Sequence, residues 1–515
     1  MKEIECICAG EKKGALTVID DGCIVDAPIN LESVTIPDGI RCIGARAFAK
    51  CRFLSSVTIP DGVTHIEAEA FASCSGLTSI NIPDSVIYIG KNAFANCRRL
   101  KRVVLPSRLK QIEDETFIEC SALESVVIPN AVMTIGNSAF QGCNSLSDIE
   151  LPSKLRSIGE SAFHLCRSLR KIVIPRCVNH IGHSAFSWCK GIKAFAVAEG
   201  NCEFKAVDGL LLSNDATSLV AAPGGIESAI IPSGVTSIAE NAFEGCDSLT
   251  KVVIPNGVTD IGECAFAWCD SLASITVPAS VTKIGPRAFE ECNESLCDVA
   301  SIPGVMLVDS WVIGNTGPSG ALDLSGVRGI ADQAFYGCKE LTSIVITDGT
   351  KTIGNGAFLY CSGLTSVAMP NTVTDIGEEA FMGCESLDHI FIPKSVKNIG
   401  ESAFRDCTSL TDIILSDGVT KIGMWAFSCC SALSKVAIPG SVIVIEEHAF
   451  YGCTNLAKVD IAEGVVDIGY CAFGDCTALK ELSVPNSVTS LGPNAFYKCG
   501  GVRVTRNGKE TMVSD

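Results

Sequence analysis

Apolar and polar residues alternate along this chain in a pattern that returns every 23 residues. One copy, from Leu54 to Cys74, reads LSSVTIPDGVTHIEAEAFASC, and the general form is L-x-x-V-x-I-P-x-x-V-x-x-I-G-x-x-A-F-x-x-C. The L-x-x-V-x-I part alternates with a period of two, which predicts a strand with one buried face. The proline after it ends the strand, because proline has no N–H to donate to a sheet.

The phenylalanine of the A-F-x-x-C phrase marks each copy of the repeat. A unit of 23 residues with one short strand cannot bury its own apolar side chains, so the copies have to stack. We therefore predict a solenoid with a parallel sheet, in which like residues rest on like residues of the next coil. The eighteen copies, arranged as seven, three and eight, place this residue at Phe48, Phe71, Phe94, Phe117, Phe140, Phe163, Phe186, Phe243, Phe266, Phe289, Phe335, Phe358, Phe381, Phe404, Phe427, Phe450, Phe473 and Phe496.

The repeat is interrupted twice. Between Phe186 and Phe243 lie VDGLLLS and TSLVAAP, which flank Asn214 and Asp215 and predict a β-hairpin near residues 204–223. The second interruption, before Phe335, loses one copy of the phrase but keeps the period. The predicted organisation is an N-terminal cap or degenerate coil at 1–30, seven repeats at 31–190, an interruption with the hairpin at 191–228, three repeats at 229–292, a degenerate coil at 293–325, eight repeats at 326–499, and a C-terminal cap with a polar tail at 500–515.

A cysteine recurs three residues after the repeated phenylalanine. Its fixed place in the repeat predicts an inward column of reduced thiols that pack as small apolar groups. A disulfide between neighbouring coils is within reach, but identical side chains point in parallel, and no C-x-x-C spacing indicates a metal site. This column contains Cys51, Cys74, Cys97, Cys120, Cys143, Cys166, Cys189, Cys246, Cys269, Cys292, Cys338, Cys361, Cys384, Cys407, Cys430, Cys453, Cys476 and Cys499.

The pattern resembles the BspA-like class of leucine-rich repeats, in which I-P, I-G and A-F-x-x-C recur in a 23-residue unit. The resemblance extends over residues 31–499. It implies an α/β-type repeat fold: a right-handed leucine-rich repeat solenoid of about 20 coils, with a parallel sheet on one face and mostly strand and turn with short helical turns. It also implies adhesion at a cell surface, with extracellular matrix proteins such as fibronectin, or other cells, as partners.

Composition and motifs exclude several function classes. A net charge of −18 and a pI near 4.9 count against nucleic acid as a partner, because binding it requires clustered Lys and Arg. No apolar run is long enough to predict a membrane span, and the N-terminal residues do not read as a signal peptide. No phosphate-binding loop, nucleophile elbow or zinc-protease motif occurs, so we expect no enzyme activity, no catalytic residue, no cofactor and no metal.

Binding in such a fold is expected on the solvent face of the strands. The residue between the two buried strand positions samples that face, and it is often apolar, partly because Val and Ile favour strands. Phe391 beside Ile414 predicts an apolar patch with a polar rim, which is typical of a binding surface. The candidate protein-binding residues, in two groups, are Arg102, Val104, Val127, His389, Phe391, Asp412 and Ile414.

Two functional hypotheses follow. The first is a noncatalytic protein-binding solenoid, at the cell surface or secreted, that presents an extended sheet to host or matrix proteins. The second is an intracellular scaffold or regulatory interaction protein, which the free thiols and the missing export signal favour. The sequence leaves the compartment open between them.

Overall fold

The computed structural model describes residues 2–7, 13–19, 22–499, 502–506 and 509–513. Strands and turns alternate throughout this part of the chain. It divides into two compact units: unit 1 runs to Pro278 and includes Phe289–Glu294, and unit 2 contains Ala279–Ala288 and the residues from Ser295 onward. Of the predicted end segments, residues 1, 8–12, 20–21, 500–501, 507–508 and 514–515 lie outside the described residues.

The coil from Leu54 to Cys74 shows the parts that regular coils share. Ser56–Thr58 forms a short strand, which we call the front strand, and His65–Ile66 forms a two-residue strand, which we call the side strand. Residues 68–73, which include the alanine and phenylalanine of the A-F-x-x-C phrase, form a run of turns, which we call the turn segment. Each coil therefore presents two strand faces and one face of turns.

Front strands pair in parallel with front strands of the neighbouring coils, as Ser56 does with Ser79. In unit 1 they are Ser33–Thr35, Ser56–Thr58, Ser79–Asn81, Arg102–Val104, Ser125–Val127, Asp148–Ile149, Ile172–Ile174, Phe195–Val197, Ser228–Ile230 and Lys251–Val253. In unit 2 they are Gly320–Leu324, Leu341–Ile346, Ser366–Ala368, His389–Ile392, Asp412–Leu415, Lys435–Ile438, Lys458–Ile461, Glu481–Val484 and Val502–Arg506.

Side strands form separate parallel ladders, in which Gln111 pairs with Thr134, for example. In unit 1 they are Cys42–Ile43, His65–Ile66, Tyr88–Ile89, Gln111–Ile112, Thr134–Ile135, Ser157–Ile158, His180–Ile181, Ser237–Ile238 and Asp260–Ile261. In unit 2 they are Lys283–Ile284, Trp311–Asn315, Gly329–Ile330, Thr352–Ile353, Asp375–Ile376, Asn398–Ile399, Lys421–Ile422, Val444–Ile445, Asp467–Ile468 and Ser490–Leu491. The predicted parallel β-solenoid is confirmed, with about 21 turns in the described chain.

Phenylalanine rings stack through the core of each unit. Rings of successive turn segments lie 4.8–6.1 Å apart, centroid to centroid, with planes within 16° of parallel. In unit 1, Phe266 has no exposed surface and lies between Phe243 and Phe289. Offset stacking adds to the gain from burying the rings, so the phenylalanine column joins each coil to its neighbours.

The expected short helical turns are wrong: no helix occurs among the described residues. In the turn segment, Arg46 and Lys50 adopt φ values of 62° and 65°, in the left-handed region. An α-helix cannot pass through such residues, because it needs consecutive right-handed φ values. The N–H groups of Phe48 and Lys50 instead donate to Ala70 and Ala72 of the next coil, with N···O distances of 2.8 and 2.7 Å.

The same two turn-segment positions are left-handed along the repeat, as at Glu115 (56°) and Glu119 (58°). A left-handed conformation costs a non-glycine residue roughly 1–2 kcal/mol. The hydrogen bonds between coils offset that cost, since each contributes about 1 kcal/mol and satisfies a backbone donor. Periodicity alone does not reveal this conformation, because it repeats once per coil like every other feature.

Glycine follows the side strand because neighbouring coils approach closely there. A Cβ atom on Gly90 would lie 2.6 Å from the backbone nitrogen of Ala68 in the preceding coil. Such a contact requires the backbone to shift, which explains the glycine of the I-G pair.

The first interruption contains three antiparallel strands, Phe204–Val207, Leu210–Ser213 and Ser218–Ala221. The last of them pairs in parallel with the side strand Ser237–Ile238. Leu211 and Leu219 have no exposed surface. The segment at 204–223, for which the sequence predicts a β-hairpin, contains antiparallel strands that join the coil stack of unit 1.

Antiparallel strands also occur near the chain ends and in the degenerate coil. They are Lys2–Ile7, Lys13–Val18 and Cys23–Asp26 in unit 1, and Val305–Val308 and Lys509–Val513 in unit 2. Lys2–Ile7 pairs with the first front strand through Ile7 and Thr35. None of the described segments is a helix that could cross a membrane.

Replacing Phe266 with Ala tests the phenylalanine column. We expect the variant to lose about 3–5 kcal/mol of local unfolding free energy, because a buried ring is removed and a cavity remains. Urea unfolding followed by circular dichroism measures the change. Phe53→Ala is the matched control, since Phe53 is 69% exposed and its loss should have little effect. An equal effect of both substitutions would contradict the packing described here.

Candidate functional site

The exposed face of the front strands is the surface on which the predicted binding residues lie. In each front strand, the side chain between two buried positions points to solvent, and its two neighbours point into the core. Val104 is 47% exposed, for example, whereas Val103 and Leu105 are 0% and 4% exposed. The core therefore determines the neighbours of this column, and the column itself is free to vary.

Unit 2 carries an apolar stretch of this column over five successive coils. We call it the front patch; its residues are Val345, Ala368, Phe391, Ile414 and Ala437. Phe391 pairs in register with Ile414, and these side chains are 43% and 53% exposed. The sequence predicts Phe391 and Ile414 as binding residues. Val345, Ala368 and Ala437 extend the patch, and their equivalent position in the repeat is the signal that marks them.

Charged and polar residues border the front patch two positions earlier in each strand. His389 and Asp412 are paired in register, but His389 Nδ1 contacts the carboxylate of Asp388. Lys435 Nζ lies 3.9 Å from the carboxylate of Asp412. Exposed ion pairs of this kind are weak, so these groups can exchange their partners for those of a ligand.

In unit 1 the structure brings together Val104 and Val127, which are paired in register and each 47% exposed. Arg102 lies two residues before Val104 on the same strand, is exposed and pairs in register with Ser125. This second group is smaller and lacks an aromatic ring.

Groups that could bind a metal are not gathered at one place. No cluster of three or more His, Cys, Asp or Glu side chains suited to a metal ion occurs in the part of the chain that the structure describes. His183 Nδ1 instead lies 3.3 Å from a carboxylate oxygen of Glu240.

The cysteine column lies directly beside the phenylalanine column. The thiol of Cys97 donates to the carbonyl oxygen of Phe71 in the preceding coil, with an S···O distance of 3.3 Å, and Cys120 donates to Phe94 at 3.1 Å. The same bond recurs up to Cys499 and Phe473, at 3.0 Å. Each of these carbonyls also accepts a backbone hydrogen bond within its own coil, as Phe71 does from the N–H of Cys74 at 3.2 Å, so the thiol adds a second donor from the next coil.

Burial perturbs these thiols strongly. It raises the pKa of Cys51 to about 11 and that of Cys74 to about 12, because the thiolate loses its hydration. The effect recurs in unit 2, where burial raises the pKa of Cys384 to about 12. Since the thiolate is the reactive form, Cys51, Cys74 and Cys384 are unreactive at neutral pH. Cys177 and Cys202, outside the column, are exposed.

A family model for the BspA type leucine rich repeat region matches the chain at residues 17–125, 110–206, 223–316, 328–457 and 374–503. No curated protein matches the chain.

Several solved structures are similar to this chain. The pneumococcal vaccine antigen PcpA is 21% identical, with a TM-score of 0.43, over 80% of this chain and 98% of its own. A leucine rich cell surface protein from Faecalibacterium prausnitzii is 25% identical, with a TM-score of 0.30, over 90% of this chain and 96% of its own. A leucine-rich repeat protein from Eubacterium ventriosum is 21% identical, with a TM-score of 0.35, over 88% and 95%.

The raised thiol pKa values predict a loss of stability in alkali. Thiols of the unfolded chain ionise near pH 8.5, whereas Cys51 and Cys74 hold their protons up to about 11 and 12. The folded state therefore binds more protons than the unfolded state in this window, and the free energy of unfolding falls as the pH rises through it. We expect the urea midpoint to be constant below about pH 8 and to fall between about pH 9 and 11.

Alkylation of the native protein with iodoacetamide checks the same property. We expect Cys177 and Cys202 to be modified at pH 8 before unfolding, and Cys97 and Cys120 only after addition of urea, with mass spectrometry identifying the sites. Equal rates at Cys97 and Cys177 would rule out the buried thiol column.

Proposed function

The chain belongs to the family of BspA-type leucine-rich repeat proteins, and we propose that it is a noncatalytic protein-binding solenoid that acts as an adhesin, at the cell surface or secreted. Its ligands in this proposal are host or matrix proteins. The observation that carries the proposal is the front patch, an exposed apolar surface on a rigid sheet. The adhesive role comes from the family resemblance, and the patch supplies the chemistry for binding.

The front patch has the features of a protein-binding surface. An exposed aromatic side chain, Phe391, lies beside a branched aliphatic one, Ile414. Aromatic residues surrounded by apolar neighbours commonly dominate the binding energy of protein interfaces. Parallel pairing on the strand and packing of Ile390 and Ile392 below it hold Phe391 in place before binding. Little conformational entropy is therefore lost when a partner binds.

The rim of the front patch is charged and can orient a partner. His389, Asp412 and Lys435 present both signs of charge along one edge. Rim charges of this kind select partners and orient them more than they add affinity. A protein ligand with an apolar centre and charged flanks matches this surface.

Replacing Phe391 with Asp tests the role of the patch. We expect at least a tenfold loss in binding of the purified chain to immobilised fibronectin or to a host-cell matrix, because a charge would occupy the apolar centre. Surface plasmon resonance measures the affinity. Phe53→Asp is the control: it adds the same charge at a more exposed phenylalanine outside the front strands. Unchanged binding by Phe391→Asp, with the control also unchanged, would remove the patch from the interface.

Location separates the adhesin from an intracellular scaffold. Intact cells treated with a protease, followed by mass spectrometry of the released peptides, report whether the repeats face the outside. We expect release of repeat peptides from intact cells. Protection until lysis would overturn the adhesin and leave a scaffold that uses the same surface.

A further inference from the structure

Within the first seven repeats, at residues 31–190, the ladder of front strands is interrupted at one place. It is continuous from Ser33–Thr35 to Asp148–Ile149, and Ile172–Ile174 then pairs with Phe195–Val197 in a separate sheet. Asp148–Ile149 is one residue shorter than its neighbour Ser125–Val127. Among the described strands, none pairs across the step from Asp148–Ile149 to Ile172–Ile174.

An open groove lies over this step. Its volume is about 810 Å³, within the range of sites that bind small ligands and peptide segments. Val173, Pro175 and Ala198 form part of its apolar lining. Val173 is 38% exposed, and the small side chain of Ala198 leaves room on the next coil.

The two sides of the groove carry opposite charge. Asp148 and Glu150 belong to one coil, and Lys171 and Arg176 belong to the next. All four side chains are exposed. Elsewhere in unit 1, opposite charges on successive coils form ion pairs, as Lys101 and Glu124 do at 3.8 Å.

The four charged side chains of the groove differ from these pairs because they have no partner among the described residues. Asp148, Glu150, Lys171 and Arg176 form no ion pair and no side-chain hydrogen bond with any residue between 22 and 499. Two carboxylates on one coil and two cations on the next therefore line the same groove, and each group retains its full capacity to bind a partner. A ligand of one sign would be repelled by one side, so nucleic acids and other polyanions do not fit.

An extended peptide does fit this arrangement. Along an extended chain, successive side chains point to opposite sides. A peptide lying in the groove can direct every second side chain to Asp148 and Glu150 and the alternate ones to Lys171 and Arg176. We propose that this groove binds an extended segment of a protein ligand in which basic and acidic residues alternate.

The inference rests on the proposed protein-binding function and adds the sequence character of the partner. The support for this partner comes more from the complementary charges of the groove and the peptide than from the shape of the groove. Four exposed pairs confer specificity and a strong dependence on salt rather than high affinity.

The probe is a fluorescein-labelled peptide of alternating lysine and glutamate, about ten residues long, which is enough to span the groove. Its control has the same composition, with all lysines before all glutamates. Fluorescence anisotropy with the full chain at low salt measures both affinities. We expect the alternating peptide to bind at least tenfold more tightly than the block peptide. Equal affinities would show only a general electrostatic attraction and would overturn the proposal.

Charge reversal on the chain locates the binding. The double variant Lys171→Glu/Arg176→Glu should lose at least tenfold in affinity for the alternating peptide. Lys251→Glu changes an exposed lysine at the position equivalent to Lys171 in another coil of unit 1, and should leave the affinity unchanged. An equal loss in both variants would refute the proposal.

A four-site variant guards against loss of folding. Adding Asp148→Lys and Glu150→Lys to the double variant exchanges the two sides of the groove. The alternating peptide can then shift by one residue and bind again, so we expect its affinity to return to within about threefold of the starting chain. Absence of recovery in a folded variant, judged by circular dichroism, counts against the groove.

Failure of this inference can be told apart from failure of the proposed function. If Phe391→Asp abolishes matrix binding while no peptide binds, the groove proposal is wrong and the function stands. If the alternating peptide binds as expected but the chain binds no matrix protein, the groove stands and the adhesive function is wrong.

Discussion

The backbone hydrogen bonds between turn segments are the constraint on which the rest of the structure depends. They form because two residues in each turn segment adopt left-handed φ values, which turns alternate N–H groups toward the next coil. This arrangement sets the spacing of the coils at the turn face. The phenylalanine rings and the thiol-to-carbonyl hydrogen bonds fit that spacing, as Phe71 and Cys97 show. The cysteine is therefore a packing group that also donates a second hydrogen bond to a backbone carbonyl of the preceding coil.

Because the core and the turn segments hold the coils together, the exposed residues of the front strands can vary and can bind a partner. The buried positions of every coil serve the stack, so substitutions between them do not disturb it. Unit 2 has apolar side chains at that exposed position in five successive coils, centred on Phe391 and Ile414. Because the strand is held by its neighbours and by the core beneath, these side chains lose little conformational entropy when a partner binds. A patch of modest size can then contribute to binding efficiently.

Local departures from the repeat supply what a uniform sheet lacks. The short strand Asp148–Ile149 interrupts the ladder and accompanies a groove with oppositely charged sides. The insertion at Phe204–Ala221 joins the side-strand ladder rather than leaving the stack, since Leu211 and Leu219 need the core to be buried. Such departures make particular coils differ from the rest of the repeat. A ligand can be recognised specifically only where the surface differs in this way.

The sequence by itself determined the period, the parallel solenoid, the two interruptions and the buried or exposed side of each front-strand residue. All of these follow from which positions are apolar, and stacking repeats them without change. Only the tertiary structure decided that the turn segment is not helical, because the left-handed residues are stabilised by carbonyls of the next coil, 22 residues away in the sequence, as between Phe48 and Ala70. It also decided that Asp148 and Lys171 remain unpaired across a groove, since strand pairing depends on how two coils meet and not on the residues of either coil alone.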